Sequence, residues 1–173
     1  MKASDLFVKC LETEGVTKIF GIPGEENADL MISLKKSKIE FVLCRHEQAA
    51  AFMADVYGRL TGKAGVCLAT LGPGVTNLMT GLADANMDRA PVVAIIGQGS
   101  TDRLHKESHQ IMDSISMVAP ISKWAQTILS AKNVSEVVRK AFKVAETEKP
   151  GVTVIELPED VAKEEVNENP IKP

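Results

Sequence analysis

Short apolar runs alternate along this chain with longer segments in which apolar positions recur every three or four residues. The runs Thr17-Lys18-Ile19-Phe20, Phe41-Val42-Leu43-Cys44, Gly65-Val66-Cys67-Leu68-Ala69-Thr70, Pro91 to Gly97 and Val152 to Leu157 read as strands. Ile121-Ser122-Lys123-Trp124-Ala125 reads as a further one. Helical periods run from Ser4, an expected N-cap, to Gly15, then from about Glu26 to Lys36 and from Glu47 to near Gly62. Two more run from Val75 to about Ala85 and from Val134 to Glu146. Continuously apolar strands separated by helices are the signature of a parallel sheet covered on both faces. The expected fold is therefore α/β, a three-layer, doubly wound, mostly parallel sheet with right-handed crossovers. From Pro158 the chain turns acidic and proline-bearing, which predicts a domain over residues 1–160 and a linker over 161–173 leaving it.

One helix breaks the ordinary amphipathic rule. Between residues 48 and 60 the polar side chains are Gln48, Asp55 and Arg59, spaced seven and four apart, so they form a narrow stripe on a helix otherwise apolar all round. Such a helix is expected to be mostly buried. At its head, straight after a strand, stands Glu47. Open α/β sheets bind ligands at the carboxyl ends of their strands, and a carboxylate partly desolvated there is expected to have a raised pKa. Glu47 is thus a candidate for handling protons.

Three loops fall at such strand ends: Gly21-Ile22-Pro23-Gly24-Glu25, Arg45-His46-Glu47, and Thr70-Leu71-Gly72-Pro73-Gly74-Val75-Thr76-Asn77. Glycine and proline in one strand-to-helix turn are ordinary turn chemistry. Three such loops around one acid point to a ligand site.

Composition narrows the partners. A net charge of -3 without a basic stripe excludes a nucleic-acid footprint, and no apolar run approaches membrane-spanning length. Cys10, Cys44 and Cys67 are far apart and sit in apolar surroundings, as buried thiols of a reducing, cytoplasmic compartment would. His105 and His109 lie four apart but have no third partner, and Glu107 is misplaced for H-E-x-x-H, so a metal site is disfavoured. His46-Glu47 lacks the P-C-x-x-C of a zinc deaminase. Gly97-Gln98-Gly99 has Asp102 where a dinucleotide fingerprint wants glycine. Met53, Met79 and Met87 read as core filler, and Glu136 with Lys140 as a solvated i,i+4 pair.

Taken with their order and spacing, Phe20-Gly21-Ile22-Pro23-Gly24-Glu25, Arg45-His46-Glu47-Gln48-Ala49-Ala50-Ala51-Phe52-Met53-Ala54 with Tyr57-Gly58-Arg59, and Gly72-Pro73-Gly74-Val75-Thr76-Asn77 resemble a known family. It is the pyrimidine-binding domain at the N-terminus of thiamine diphosphate enzymes of the acetolactate synthase and pyruvate oxidase group. Asp84-Ala85 before Pro91-Val92-Val93, and Gly151 to Pro158, carry the likeness across almost the whole chain. His105-Lys106-Glu107-Ser108-His109-Gln110-Ile111-Met112-Asp113 followed by Pro120 to Trp124 looks most like acetolactate synthases of the catabolic kind. The same domain of a pyruvate oxidase or a 2-keto acid decarboxylase, and a non-enzymatic α/β interaction module, stay open as alternatives.

The resemblance implies a function that the residues alone do not. Glu47 would hydrogen-bond the aminopyrimidine ring nitrogen N1′ of thiamine diphosphate and so promote loss of the thiazolium C2 proton. Pyruvate would be decarboxylated and condensed with a second 2-keto acid. Pro23, Gly24 and Glu25 would line the cofactor's reactive side, Thr70, Gly74 and Asn77 would border its pyrimidine, and Gln110 would reach the bound intermediate. Glu25 replaces the small residue that many biosynthetic relatives carry. Family members hold the diphosphate and Mg²⁺ with a separate domain bearing Gly-Asp-Gly, which has no match here. The resemblance therefore implies a diphosphate-binding domain as partner, a homodimer or homotetramer, and a chain inactive alone. It leaves open whether FAD is bound elsewhere in the full-length protein.

Overall fold

The computed structural model describes all residues from Met1 to Pro173. Helix α1 (Ala3–Thr13) leads into strand β1 (Lys18–Gly21), a short 3-10 turn at Glu25–Asn27 and α2 (Ala28–Leu34). Then come β2 (Glu40–Leu43), α3 (Glu47–Thr61), β3 (Gly65–Ala69), α4 (Pro73–Met87) and β4 (Val92–Gln98). A long loop reaches α5 (Ser114–Val118), followed by β5 (Trp124–Thr127), α6 (Val134–Glu146), β6 (Val152–Pro158) and α7 (Glu159–Lys163). The six strands form one sheet in the order β2-β1-β3-β4-β6-β5, and every pairing is parallel. This is the doubly wound α/β fold that the apolar pattern predicts.

Apolar burial divides between the two faces of the sheet. One core of 27 residues packs α1, α2, α6 and α7 against the strands. A second, of 17 residues, packs α3, α4 and α5 on the opposite face. Small side chains let α3 and α4 approach closely: a Cβ on Gly81 would stand 2.6 Å from the Ala51 Cβ. The central strands β3, β4 and β6 are buried throughout, whereas β2 and β5, at the edges, are only partly covered. The chain passes from β1 outward to β2 and then back across β1 to β3. Between β1 and β3 the winding therefore reverses, and the carboxyl ends of these strands open the crevice where such sheets take ligands.

Several expectations are corrected. Ser4 is not the cap of α1; it lies inside the first turn, buried, and accepts a hydrogen bond from Ser33 Oγ at 3.0 Å. β5 begins at Trp124, because Pro120 draws residues 119–121 into a 3-10 turn. The expected linker is folded over its first half: Val161, Ala162 and Val166 are buried, Ala3 N donates to Glu164 O, and Val166 N donates to Met1 O. Apolar residues hidden among the acidic ones explain the difference. Lys140 does not pair with Glu136; its ammonium stands over the Trp124 ring, 5.0 Å from the centroid. None of Met53, Met79 and Met87 is buried, and Met87 is 81% exposed.

α3 is the largest departure. Its inner side is buried as expected, but Met53, Val56 and Leu60 are exposed, and with Phe20, Phe52 and Tyr57 they line a groove without a charged side chain. The narrow polar stripe has a different purpose from the one expected of a buried helix. Arg59 binds Asp55 on its own helix, Asp84 of α4 and Asp88 at the C-cap of α4, at 2.7, 3.0 and 2.7 Å, so the stripe ties the two helices together.

The three cysteines are free and buried, and burial pushes the Cys67 thiol up to about 12. No helix is long and apolar enough to cross a membrane.

Candidate functional site

Glu47 opens α3 directly after β2. His46 is the N-cap, with extended backbone and its Nδ1 accepting from Gln48 N at 3.1 Å. That cap turns the chain so that the next side chain enters the crevice, where Glu47 is 9% exposed. Its Oε2 accepts a hydrogen bond from Asn77 Nδ2 at 3.0 Å. Its Oε1 has no donor and faces Gly74, 3.6 Å from where a Cβ on that glycine would stand.

The third loop supplies both neighbours. Gly72 carries φ +53°, a conformation that L side chains rarely adopt, and reverses the chain from β3 into α4. Pro73 then begins the helix, where its missing N–H costs nothing. This places Gly74 and Asn77 in the first turns of α4, facing the start of α3.

Thr70 joins the first loop to the third. A Cβ on Gly24 would stand 2.8 Å from the Thr70 Cβ, and one on Gly74 would stand 3.4 Å from the Thr70 Cγ2. The predicted residues Gly24, Glu47, Thr70, Gly74 and Asn77 are thus brought to one place. Pro23 and Glu25 lie at its rim, both exposed. Gln110 reaches the opposite rim with φ +56°, its carbonyl packed on the Gly72 turn. His105 and His109 fall in a turn-rich segment outside any helix, so their spacing does not place them on one face.

Two residues of the site escaped sequence reasoning. Glu26 Oε2 accepts from Thr70 Oγ1 at 2.6 Å. Asn27, 4% exposed, accepts from Gly24 N at 2.8 Å and shapes the turn, while its Nδ2 has no partner. Gly-x-x-Asn after a strand is the available signal, the Asn side chain reaching back to the N-cap N–H as in a capping box. The helical period that begins at about Glu26 conceals it.

A family model described as thiamine pyrophosphate enzyme, N-terminal TPP binding domain, matches residues 1–117. The chain belongs to this family. The TPP-binding domain is 44% identical over 158 residues to the catabolic acetolactate synthase of Raoultella terrigena, covering 91% of this chain and 28% of that protein. It is 42% identical over 167 residues to the acetolactate synthase of Bacillus subtilis, covering 96% of this chain and 29% of that one. It is also 39% identical over 161 residues to the large subunit of acetolactate synthase isozyme 2 of Escherichia coli, covering 93% and 29%. The chain therefore spans less than a third of the length of these relatives.

The residues fit the family's cofactor. An aminopyrimidine is flat and carries ring nitrogens and an amine. The missing side chain of Gly74 leaves space for a methyl group beside Thr70 and Glu47 Oε1, that of Gly24 lets its backbone lie against Thr70, and Glu47 Oε1 and Asn27 Nδ2 are an acceptor and a donor that the protein itself leaves unused. A buried donor without a partner, as Asn27 Nδ2 is, is uncommon in a folded interior and calls for one.

Proposed function

We propose that this chain forms the aminopyrimidine side of the active site of an acetolactate synthase-like enzyme, which decarboxylates pyruvate and joins the remaining two-carbon unit to a second 2-keto acid. The observation that carries this reading is the division of labour on Glu47: one oxygen fixed by Asn77, the other free beside the Gly74 gap. A carboxylate so held is oriented without being consumed. Bound thiamine diphosphate would supply the carbanion chemistry, which the protein orients. Glu47 would share a proton with the pyrimidine ring, Gly74 would admit it, and Thr70, packed on Gly24, would bound it. Glu26, held by the Thr70 hydroxyl, would keep that threonine's methyl group turned to the site.

A diphosphate-binding domain carrying Mg²⁺ is the proposed partner. Its proposed docking surface is the open apolar face of α3, because Glu47 begins that same helix and the face exposes Met53, Val56 and Leu60. The test is complementation: the chain is fused to or mixed with such a domain, and carbon dioxide release from pyruvate is measured with thiamine diphosphate and Mg²⁺. Wild type restores release, and Glu47→Gln lowers it by at least about 100-fold, the low end of what a positioned proton-transfer group contributes. Equal activity of the two proteins would remove Glu47 from the mechanism.

A further inference from the structure

Gln98, the last residue of β4, is 2% exposed, and its side-chain amide serves nothing in the site described above. Its Nε2 donates to Glu156 Oε1 at 3.0 Å and to the Met112 carbonyl at 3.1 Å, and its Oε1 accepts from Gly99 N at 2.9 Å. Both amide hydrogens and the oxygen are therefore committed, which fixes the amide's orientation. Glu156, 3% exposed on β6, is anchored on its other oxygen by Thr127 Oγ1 at 2.6 Å. Gly99 and Met112 are the two ends of the loop between β4 and α5, so one side chain closes that loop at both ends.

The loop bears on the site. Gln110 lies in it, and the Gln110 carbonyl stands 2.5 Å from where a Cβ on Gly72 would be, on the turn that leads to Gly74 and Asn77. Packing alone does not hold it there, because a cavity of about 390 Å³ bordered by Gln98, Ile111, Met112, Thr127, Leu129 and Glu156 lies beneath it.

We propose that Gln98, anchored on Glu156, is the positioning residue of the 99–112 loop and thereby sets where Gln110 stands at the rim of the site. The catalytic consequence rests on the thiamine diphosphate reading above; the clamp itself does not. Glu156→Gln preserves the arrangement, since its amide oxygen accepts from Gln98 and its amide nitrogen donates to Thr127. Gln98→Met keeps the volume and removes both donors, so that Glu156 Oε1 loses its partner and the Met112 carbonyl keeps only Ser114.

Hydrogen exchange on the 173-residue chain reads the clamp. The amides of Lys106 and Ile111, bonded to the Arg103 and Ser108 carbonyls, exchange about tenfold faster in Gln98→Met. They exchange at the wild-type rate in Glu156→Gln and in Leu129→Ala, which alters the cavity wall outside the network. Should Gln98→Met fail to fold, Thr127→Val removes the anchor's other donor and is expected to loosen the loop in the same direction. Wild-type exchange in a folded Gln98→Met, or loosening by Glu156→Gln equal to that of Gln98→Met, overturns the proposal. A second arm uses the complemented assembly. There Gln98→Met lowers the ratio of carbon-carbon product to carbon dioxide released and Glu156→Gln leaves it at the wild-type value; an unchanged ratio in Gln98→Met with a loosened loop overturns the positioning role. If wild-type assembly releases no carbon dioxide, the proposed function fails, and the exchange result still decides the clamp.

Discussion

Asn77 Nδ2 donates to Glu47 Oε2 at 3.0 Å, which links the first turns of α4 and α3 across the mouth of the crevice. The bond joins residues 30 positions apart and leaves the second Glu47 oxygen free. It holds the site together and orients its acid at the same time. Asn77→Leu removes the donor from a nearly buried carboxylate and is expected to cost about 1.5–3 kcal/mol, the range for hydrogen bonds to charged groups. Adding Glu47→Leu removes the stranded partner, so the double variant should lose less than the sum of the singles, with a coupling of about 1 kcal/mol in urea unfolding. Additive losses would mean that the two side chains do not interact.

Gly74 and Gly24 should separate stability from function in opposite ways. A methyl on Gly74 meets nothing closer than 3.4 Å but stands 3.6 Å from Glu47 Oε1. Gly74→Ala, inside α4, is therefore expected to raise stability by about 0.4–1 kcal/mol while closing the space beside the free oxygen and abolishing thiamine diphosphate-dependent activity of the complemented enzyme. A methyl on Gly24 collides with Thr70 at 2.8 Å. Gly24→Ala is expected to destabilise by about 1–3 kcal/mol, as overpacking does. Thermal melts of the chain and carbon dioxide assays of the assembly check both. A Gly74→Ala protein that retains activity would exclude this gap as the pyrimidine's place.

Most of this site was legible in the sequence, because its parts are local. A strand run, a glycine-proline turn and a helix period each announce themselves within about ten residues, and parallel α/β winding carries their strand ends to one edge of the sheet. That logic brings Glu47 and the loops at 21–25 and 70–77 together; the choice of Gly24, Thr70, Gly74 and Asn77 within those loops comes from the family resemblance. What it could not supply were contacts between distant segments. Gln98 looked like part of a failed dinucleotide motif, Arg59 like one of three polar residues on a buried helix, and Val161 and Val166 were lost in an acidic tail. The outer face of α3 misled for a related reason. A helix apolar all round is expected to be buried, and periodicity does not say whether its cover lies within the same domain.

That outer face makes its own prediction. Val56 is 50% exposed and Leu60 is 81% exposed, so replacing both by serine removes little burial within this domain. The chain's unfolding midpoint should move by no more than about 0.5 kcal/mol equivalent, the ordinary range for surface changes. Association with a diphosphate-binding domain, followed by size-exclusion chromatography and by regained activity, should weaken by at least about tenfold, since each apolar side chain buried at an interface contributes on the order of 1–2 kcal/mol. Full activity of the double variant would place the partner elsewhere.

Glu156 gives the fold a pH dependence whose sign can be worked out. Burial pushes its carboxyl above the ordinary glutamate value of 4.5, and the charge of Asp113 adds to the rise; hydrogen bonds from Thr127 and Gln98 oppose it. A folded-state value above the unfolded one means that the folded chain holds the proton more tightly. The stabilisation is present in full below the unfolded value and is lost as pH rises through the folded value. Glu156→Gln has no proton to lose and keeps its hydrogen bonds to Gln98 and Thr127. Its melting temperature, set against that of wild type, should therefore gain as pH rises above the ordinary glutamate value of 4.5 and level off once pH passes the folded-state value, with its smallest relative value at the acid end. Melts in a series of buffers at constant ionic strength provide the measurement. A difference that stays flat across the series, or that grows toward low pH, would show that the buried carboxyl does not titrate in this direction.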